Sequence, residues 1–183
     1  PLKRTVVGRP VRVAGRVAGP TGAGLAGVVV LLRDPQRRTV ARTTTGPRGG
    51  FALSDRATRG GIWSTEAIGR GRLVSRFALR VRPRLRLSAN RREVPAGGRV
   101  VLRGSVLPRR GSYAKTVQLQ FRDGRRWRPF ANARIGRNGR YRLTYRFRRA
   151  GGYRVRIRAA MLRQANWPFT PGVTRPITVR VRP

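Results

Sequence analysis

Apolar and polar residues alternate most strictly between Tyr141 and Arg158. Tyr141, Leu143, Tyr145 and Phe147 are interleaved with Arg142, Thr144, Arg146 and Arg148; after Ala150-Gly151-Gly152, Tyr153, Val155 and Ile157 are interleaved with Arg154, Arg156 and Arg158. A period of two places alternate side chains on opposite faces of a strand. The segment therefore predicts a β-hairpin with a dry aromatic face, a cationic face and a glycine-containing turn.

Shorter versions of the pattern fill the rest of the chain. Val11, Val13 and Val17 predict a first strand, and the run Val28 to Leu32 a buried one, since it is short and β-branched. Asp34-Pro35 marks a turn, Thr39 to Thr45 a returning strand, and Gly46 to Gly50 a second turn before Phe51 and Leu53. Residues 54–70 carry the weakest pattern, and Leu73 to Val81 predicts a closing strand. No segment has helical periodicity.

The second half repeats the first. Gly15 and Val17 align with Gly104 and Val106, VVVLLRD at Val28 with VQLQFRD at Val117, and Gly46, Gly49, Phe51 and Leu53 with Gly136, Gly139, Tyr141 and Leu143. The closing Leu79-Arg80-Val81-Arg82-Pro83 aligns with Val179-Arg180-Val181-Arg182-Pro183 at a larger offset, so the second unit carries an insertion late in its course. Such a repeat predicts two tandem domains, 1–83 and 84–183, joined at Pro83 with almost no linker. Short strands with Gly/Pro turns about every ten residues predict an all-β architecture of two Greek-key β-sandwiches.

Composition narrows the chemistry. The chain has neither cysteine nor histidine, which removes disulfides, thiol nucleophiles and the commonest general base and metal ligand. We therefore expect no enzyme, no catalytic residues, no cofactor and no metal. No apolar run is long enough to span a membrane as a helix. The chain opens Pro1-Leu2-Lys3-Arg4 with no methionine and no signal-peptide pattern, as expected of a piece of a longer multidomain protein. Its 44 Lys and Arg face only Asp34, Asp55, Glu66, Glu93 and Asp123, a net charge of +39. Coding bias toward GC favours arginine over lysine but does not remove acids, so the acid depletion calls for a polyanion partner or a purely electrostatic surface role.

Three motifs have simpler readings as structure. Gly22 to Gly27 fits G-x-G-x-x-G but leads into a β-branched run rather than a helix, so it reads as a loop. Ser112-Tyr113-Ala114-Lys115 fits S-x-x-K without the companion elements such enzymes need. Asp34 and Asp123 read as turn residues, with Asp123-Gly124 as a two-residue hairpin loop. Trp127 reads as core or core edge, and Trp63 stays undecided. Trp167 and Phe169, in a long loop beside arginines, are the candidate aromatic contacts; the alternative is a plug at the end of the sandwich.

The pattern V-x-G-x-V, Gly-rich loop, Gly-Val-Val-Val and T-T-x-G-x-x-G-x-F over residues 13–51 resembles carboxypeptidase-regulatory-like and bacterial Ig-like domains. The second half resembles tandem Ig-like repeats of secreted and surface proteins from high-GC bacteria, through Val101, Gly104, Val106, Val117, Leu119, Trp127, Arg134, Gly136, Gly139, Tyr141, Tyr153, Gly172 and Val179 to Val181. The resemblance implies an extracellular, non-catalytic spacer, display or adhesion module at the cell surface, and names no ligand. Beside it, Arg142, Arg146, Arg148, Arg154, Arg156 and Arg158 are the candidate polyanion-binding residues, for acidic envelope polymers or polysaccharide. The rival is a nucleic-acid-binding protein of low sequence specificity, whose usual footprint is basic charge with interleaved aromatics.

Overall fold

The computed structural model describes residues 2–69, 72–108, 116–148, 152–163 and 168–183, and its regular structure there is entirely β-strand. The chain divides into two compact units, Pro1–Arg82 and Pro83–Pro183. Each is a Greek-key β-sandwich.

The first unit contains β1 (Leu2–Val6), β2 (Pro10–Arg16), β3 (Val29–Arg33), β4 (Thr39–Thr44), β5 (Gly50–Arg56), β6 (Gly61–Ile68) and β7 (Arg72–Arg82). One sheet has the order β1-β7-β6-β3-β4 and the other pairs β2 with β5. After the β3–β4 hairpin the chain crosses to β5 in the small sheet and returns to β6 beside β3, a Greek-key connection. Val11, Val13 and Leu53 of the small sheet meet Val30, Leu32, Trp63, Phe77, Leu79 and Val81 of the large one in the core. Each such side chain contributes roughly 1.5–3 kcal/mol by leaving water.

Two strands here escape the sequence pattern. β1 precedes the strand expected to be first. β6 fills the segment of weakest pattern, because Thr65 sits on its inner face while Ile62 and Ile68 are exposed on its outer one. Trp63 is fully buried and belongs to the core. Asp34 is the turn residue expected: Oδ1 accepts from the backbone N–H groups of Gln36 (2.8 Å) and Arg38 (3.0 Å), and Oδ2 from the Arg38 guanidinium (2.7 Å). The loop of Gly22 to Gly27 runs on to β3 with no helix.

The second unit contains β8 (Arg84–Ala89), β9 (Glu93–Pro95), β10 (Arg99–Leu107), β11 (Thr116–Asp123), β12 (Arg126–Arg134), β13 (Arg140–Arg146), β14 (Tyr153–Met161), β15 (Gly172–Val173) and β16 (Ile177–Arg182). Its larger sheet, β12-β11-β14-β16-β9, repeats the large sheet of the first unit strand for strand, down to the parallel edge pair β16–β9 that matches β7–β1. The smaller sheet, β13-β10-β8, repeats the β5–β2 pair and adds β8. The late insertion expected from the repeat offsets falls between β14 and β16 and includes β15, which pairs with β14.

The expected hairpin does not exist. β13 pairs with β10 and β14 pairs with β11, β15 and β16, so the two strands lie in different sheets. Their facing is as expected: Tyr141, Phe147 and Ile157 are buried, Leu143, Tyr145, Tyr153 and Val155 half-buried, and Arg142, Arg146, Arg148, Arg154 and Arg156 exposed. Alternation fixes which side chains point inward but carries no information on which strand lies alongside. An inward-facing strand can equally be met by another across the sandwich. Here the two strands present their dry faces to a shared core, where Phe121, Phe130, Tyr145, Phe147 and Tyr153 form a row with ring centroids 4.7–6.3 Å apart, mostly edge to face.

The β11–β12 hairpin does form, one residue later than expected. Asp123 pairs with Arg126, leaving Gly124 (φ 52°) and Arg125 as the loop. Glycine at the first loop position supplies the positive φ that a tight hairpin needs there.

Candidate functional site

Arginine is the commonest residue at the outward positions of the second unit's sheets. On the three-stranded sheet Arg140, Arg142 and Arg146 of β13 lie beside Arg99 and Arg103 of β10, with Arg84 and Arg86 of β8 beyond. Arg99 is directly opposite Arg146, and Arg103 directly opposite Arg142. Like charges in direct cross-strand register destabilise a sheet. No Asp or Glu occurs in these three strands. Arg146 is held by its Nε–H donating to the Gly97 carbonyl (2.9 Å) and remains exposed.

The six-stranded sheet carries Arg122, Arg154, Arg156, Arg158, Arg180 and Arg182 on its outer face. Arg154 is directly opposite Arg180, another like-charged pair. Glu93 at the edge is taken by Arg182 (2.6 Å) and Arg180 (3.8 Å). The bond from Arg182 outweighs desolvation and holds the Glu93 carboxyl below its ordinary range. Asp123 at the hairpin end is taken by Arg128 (2.6 Å).

The six arginines expected to form one cationic face are thus split between two faces. Arg142, Arg146 and Arg148 accompany the three-stranded sheet; Arg154, Arg156 and Arg158 lie outside the six-stranded one, across the core. The cause is the missing hairpin. Arg84, Arg86, Arg99, Arg103 and Arg140, which complete the first group, were not singled out from the sequence, although their period-two spacing among apolar residues marks them as outward.

Of the candidate aromatic contacts, Trp167 lies outside the described residues. Phe169 is 6% exposed and belongs to the core, so its ring faces protein and is closed to a ligand. Trp127 is on the outer face rather than in the core. It is half-buried, with the Arg158 guanidinium 4.2 Å and the Arg122 guanidinium 5.5 Å from its ring centroid. Partial burial and the nearby charge of Arg122 lower the pKa of Arg158.

In the first unit a surface depression of about 820 Å³ brings Asp34 and Glu66 together with Arg33, Arg37 and Arg76. Both carboxyls are buried, yet each is matched by arginine. Arg33 Nε lies 2.8 Å from Glu66 Oε2, and Arg38 forks onto Asp34. Burial pushes Asp34 up, but the bonds from Arg38 and Gln36 prevail and its pKa ends below the ordinary value. Neither arrangement is that of a proton donor and acceptor working as a pair. Among the described residues no group of three or more metal-ligating side chains occurs, and no helix is long and apolar enough to cross a membrane.

No protein-family model and no curated protein matches the chain. Solved structures similar over its whole length include Salmonella alpha-2-macroglobulin (TM-score 0.39, 16% identity, all of this chain and 14% of that one). A tetra-tandem repeat from the extending region of a large adhesion protein is similar over 94% of this chain and 48% of its own (TM-score 0.43, 14% identity). The Yersinia pseudotuberculosis adhesin InvE is similar over 98% and 56% (TM-score 0.42, 10% identity). This chain thus spans a small part of the first of these proteins and about half of the others. All three TM-scores lie below 0.5.

Proposed function

We propose that the chain is a non-catalytic pair of extracellular β-sandwich repeats, a spacer, display or adhesion module of a larger surface protein, whose arginine faces associate with acidic polymers. The observation that carries this reading is the outer face of β13-β10-β8, where Arg99–Arg146 and Arg103–Arg142 stand in direct register with no acid among them. A fold gains nothing from placing like charges opposite one another, and a polyanion relieves that repulsion on binding. The non-catalytic role is supported by the lack of histidine and cysteine and by the arginine pairing of the buried carboxylates. The extracellular setting, and a carboxypeptidase-regulatory-like character for the first unit, rest on the strand-and-turn resemblance alone.

The test is retention of the purified chain on immobilised polygalacturonate against immobilised neutral dextran at physiological ionic strength. Retention on the charged matrix, released by salt, is expected. Equal behaviour on both would reduce the arginines to a surface property, and tighter retention on one member of a parallel set of immobilised DNA sequences would replace this reading with a nucleic-acid one.

A further inference from the structure

On the outer face of the six-stranded sheet the two arginines around Trp127 are fixed in place. Arg158 stacks on the indole, and its Nε–H donates to Gln120 Oε1 (2.8 Å). Gln120 is itself oriented, because its Nε2 donates to Gln118 Oε1 (2.6 Å) and it is 8% exposed. Arg122 is directly opposite Trp127 in the β11–β12 register, and its Nε–H donates to the Gly124 carbonyl (2.7 Å). In both arginines the inner nitrogen is anchored, and the terminal nitrogens have no acidic partner among the described residues. Nearby, Asp123 is engaged by Arg128, Arg156 adds a further cation on β14, and Gln118, Gln120 and Pro129 are neutral.

We propose that Arg122, Trp127 and Arg158 form a binding site for one anionic group, a carboxylate or phosphate carried on an acidic polysaccharide. This rests on the polyanion reading above and locates one of its contacts. Guanidinium forks match planar carboxylates and phosphates, and a fork whose stem is already immobilised loses less freedom on binding than a free one. The geometry favours a sugar-borne anion over a nucleic-acid base. A stacking site for bases offers an open aromatic face, whereas this indole is half-buried and already covered by Arg158.

The test uses the full chain and three probes at physiological salt: a short oligogalacturonate, a glycan oligomer bearing phosphate esters, and oligothymidylate. Affinities are compared among the unsubstituted protein, Arg122→Gln/Arg158→Gln, and Arg99→Gln/Arg103→Gln on the opposite sheet. The first pair should weaken binding of the better charged-sugar probe by about tenfold or more, the scale of a lost charge-assisted hydrogen bond. The second pair should change it far less, since a short probe cannot span both faces. The circular-dichroism spectrum serves as the folding control. If Arg99→Gln/Arg103→Gln weakens binding and Arg122→Gln/Arg158→Gln does not, the site is refuted while the polyanion reading stands. If the unsubstituted protein binds none of the probes, the site is refuted, and retention on long-chain polygalacturonate decides the polyanion reading separately. Tighter binding of oligothymidylate, abolished by Trp127→Ala, would show a base-stacking site and overturn the proposal.

Discussion

Gly104 in β10 lies directly opposite Tyr141 in β13, and the tyrosine ring passes over the space where a Cβ would stand to donate its hydroxyl to the Arg86 carbonyl of β8 (2.6 Å). One aromatic residue so ties three strands together. The first unit has the same pair, Gly15 opposite Phe51. There, among the described residues, the small sheet has two strands, and the ring carries no hydroxyl that would need an acceptor.

Substituting Gly104 by alanine should therefore cost more than the same change at Gly15. A Cβ at 104 meets the Arg86 backbone as well as the Tyr141 ring, while at Gly15 its nearest neighbours are all at the far end of the Phe51 ring (2.7 Å), which can turn aside. We expect about 1–3 kcal/mol for Gly104→Ala, the usual cost of overpacking, with no rescue by Tyr141→Phe. Tyr141→Phe alone should cost about 0.5–1.5 kcal/mol. Urea unfolding of the full chain checks these costs, and equal costs at Gly104 and Gly15 would mean that the Arg86 backbone yields easily.

Facing arginines should leave the protein sensitive to salt. Screening of exposed charges strengthens as the Debye length shortens to about 8 Å near physiological ionic strength, so the melting temperature should rise as salt is raised to that level. Arg103→Glu, which places an acid opposite Arg142, should stabilise by about 0.2–1 kcal/mol, with a gain that shrinks as salt is added. A melting temperature indifferent to both changes would show that the side chains splay far enough apart to escape one another.

Acid should weaken the first unit through Asp34. Its folded pKa lies below its ordinary 3.8, so it adds stability above that value and loses it as pH falls through the folded pKa. The stability difference between the unsubstituted protein and Asp34→Asn should be largest near neutral pH and shrink below about pH 4. A difference that stays constant across this range would mean the carboxylate charge is immaterial to the turn.

Much of this was legible in the sequence, for a reason the aromatic strands make plain. The facing of Tyr141, Phe147 and Ile157 is a local property of alternation, and the glycine turns at Gly49 and Gly139 announce themselves, each with φ near 75°. The repeat carried the connectivity, since Gly15 with Phe51 and Gly104 with Tyr141 are aligned in sequence and paired in the fold. Strand partners were not legible. Nothing local tells whether Tyr153 follows Phe147 in the same sheet or crosses to the other, and that choice decided the split of the arginines into two faces. Trp127 misled because a bulge near Leu119 and Gln120 shifts the β11–β12 register and leaves the indole outside, where arginines rather than core residues cover it.

Polyanion association is measured as the affinity for long-chain polygalacturonate, by calorimetry across a salt series, for the unsubstituted protein and for a variant with Arg99, Arg103, Arg142 and Arg146 all changed to glutamine. Association through this arginine face predicts that log K falls linearly with log salt, and that the variant binds more weakly with a slope reduced by roughly 0.7 to 0.9 for each contact removed. An unchanged affinity and an unchanged slope in the variant would contradict it.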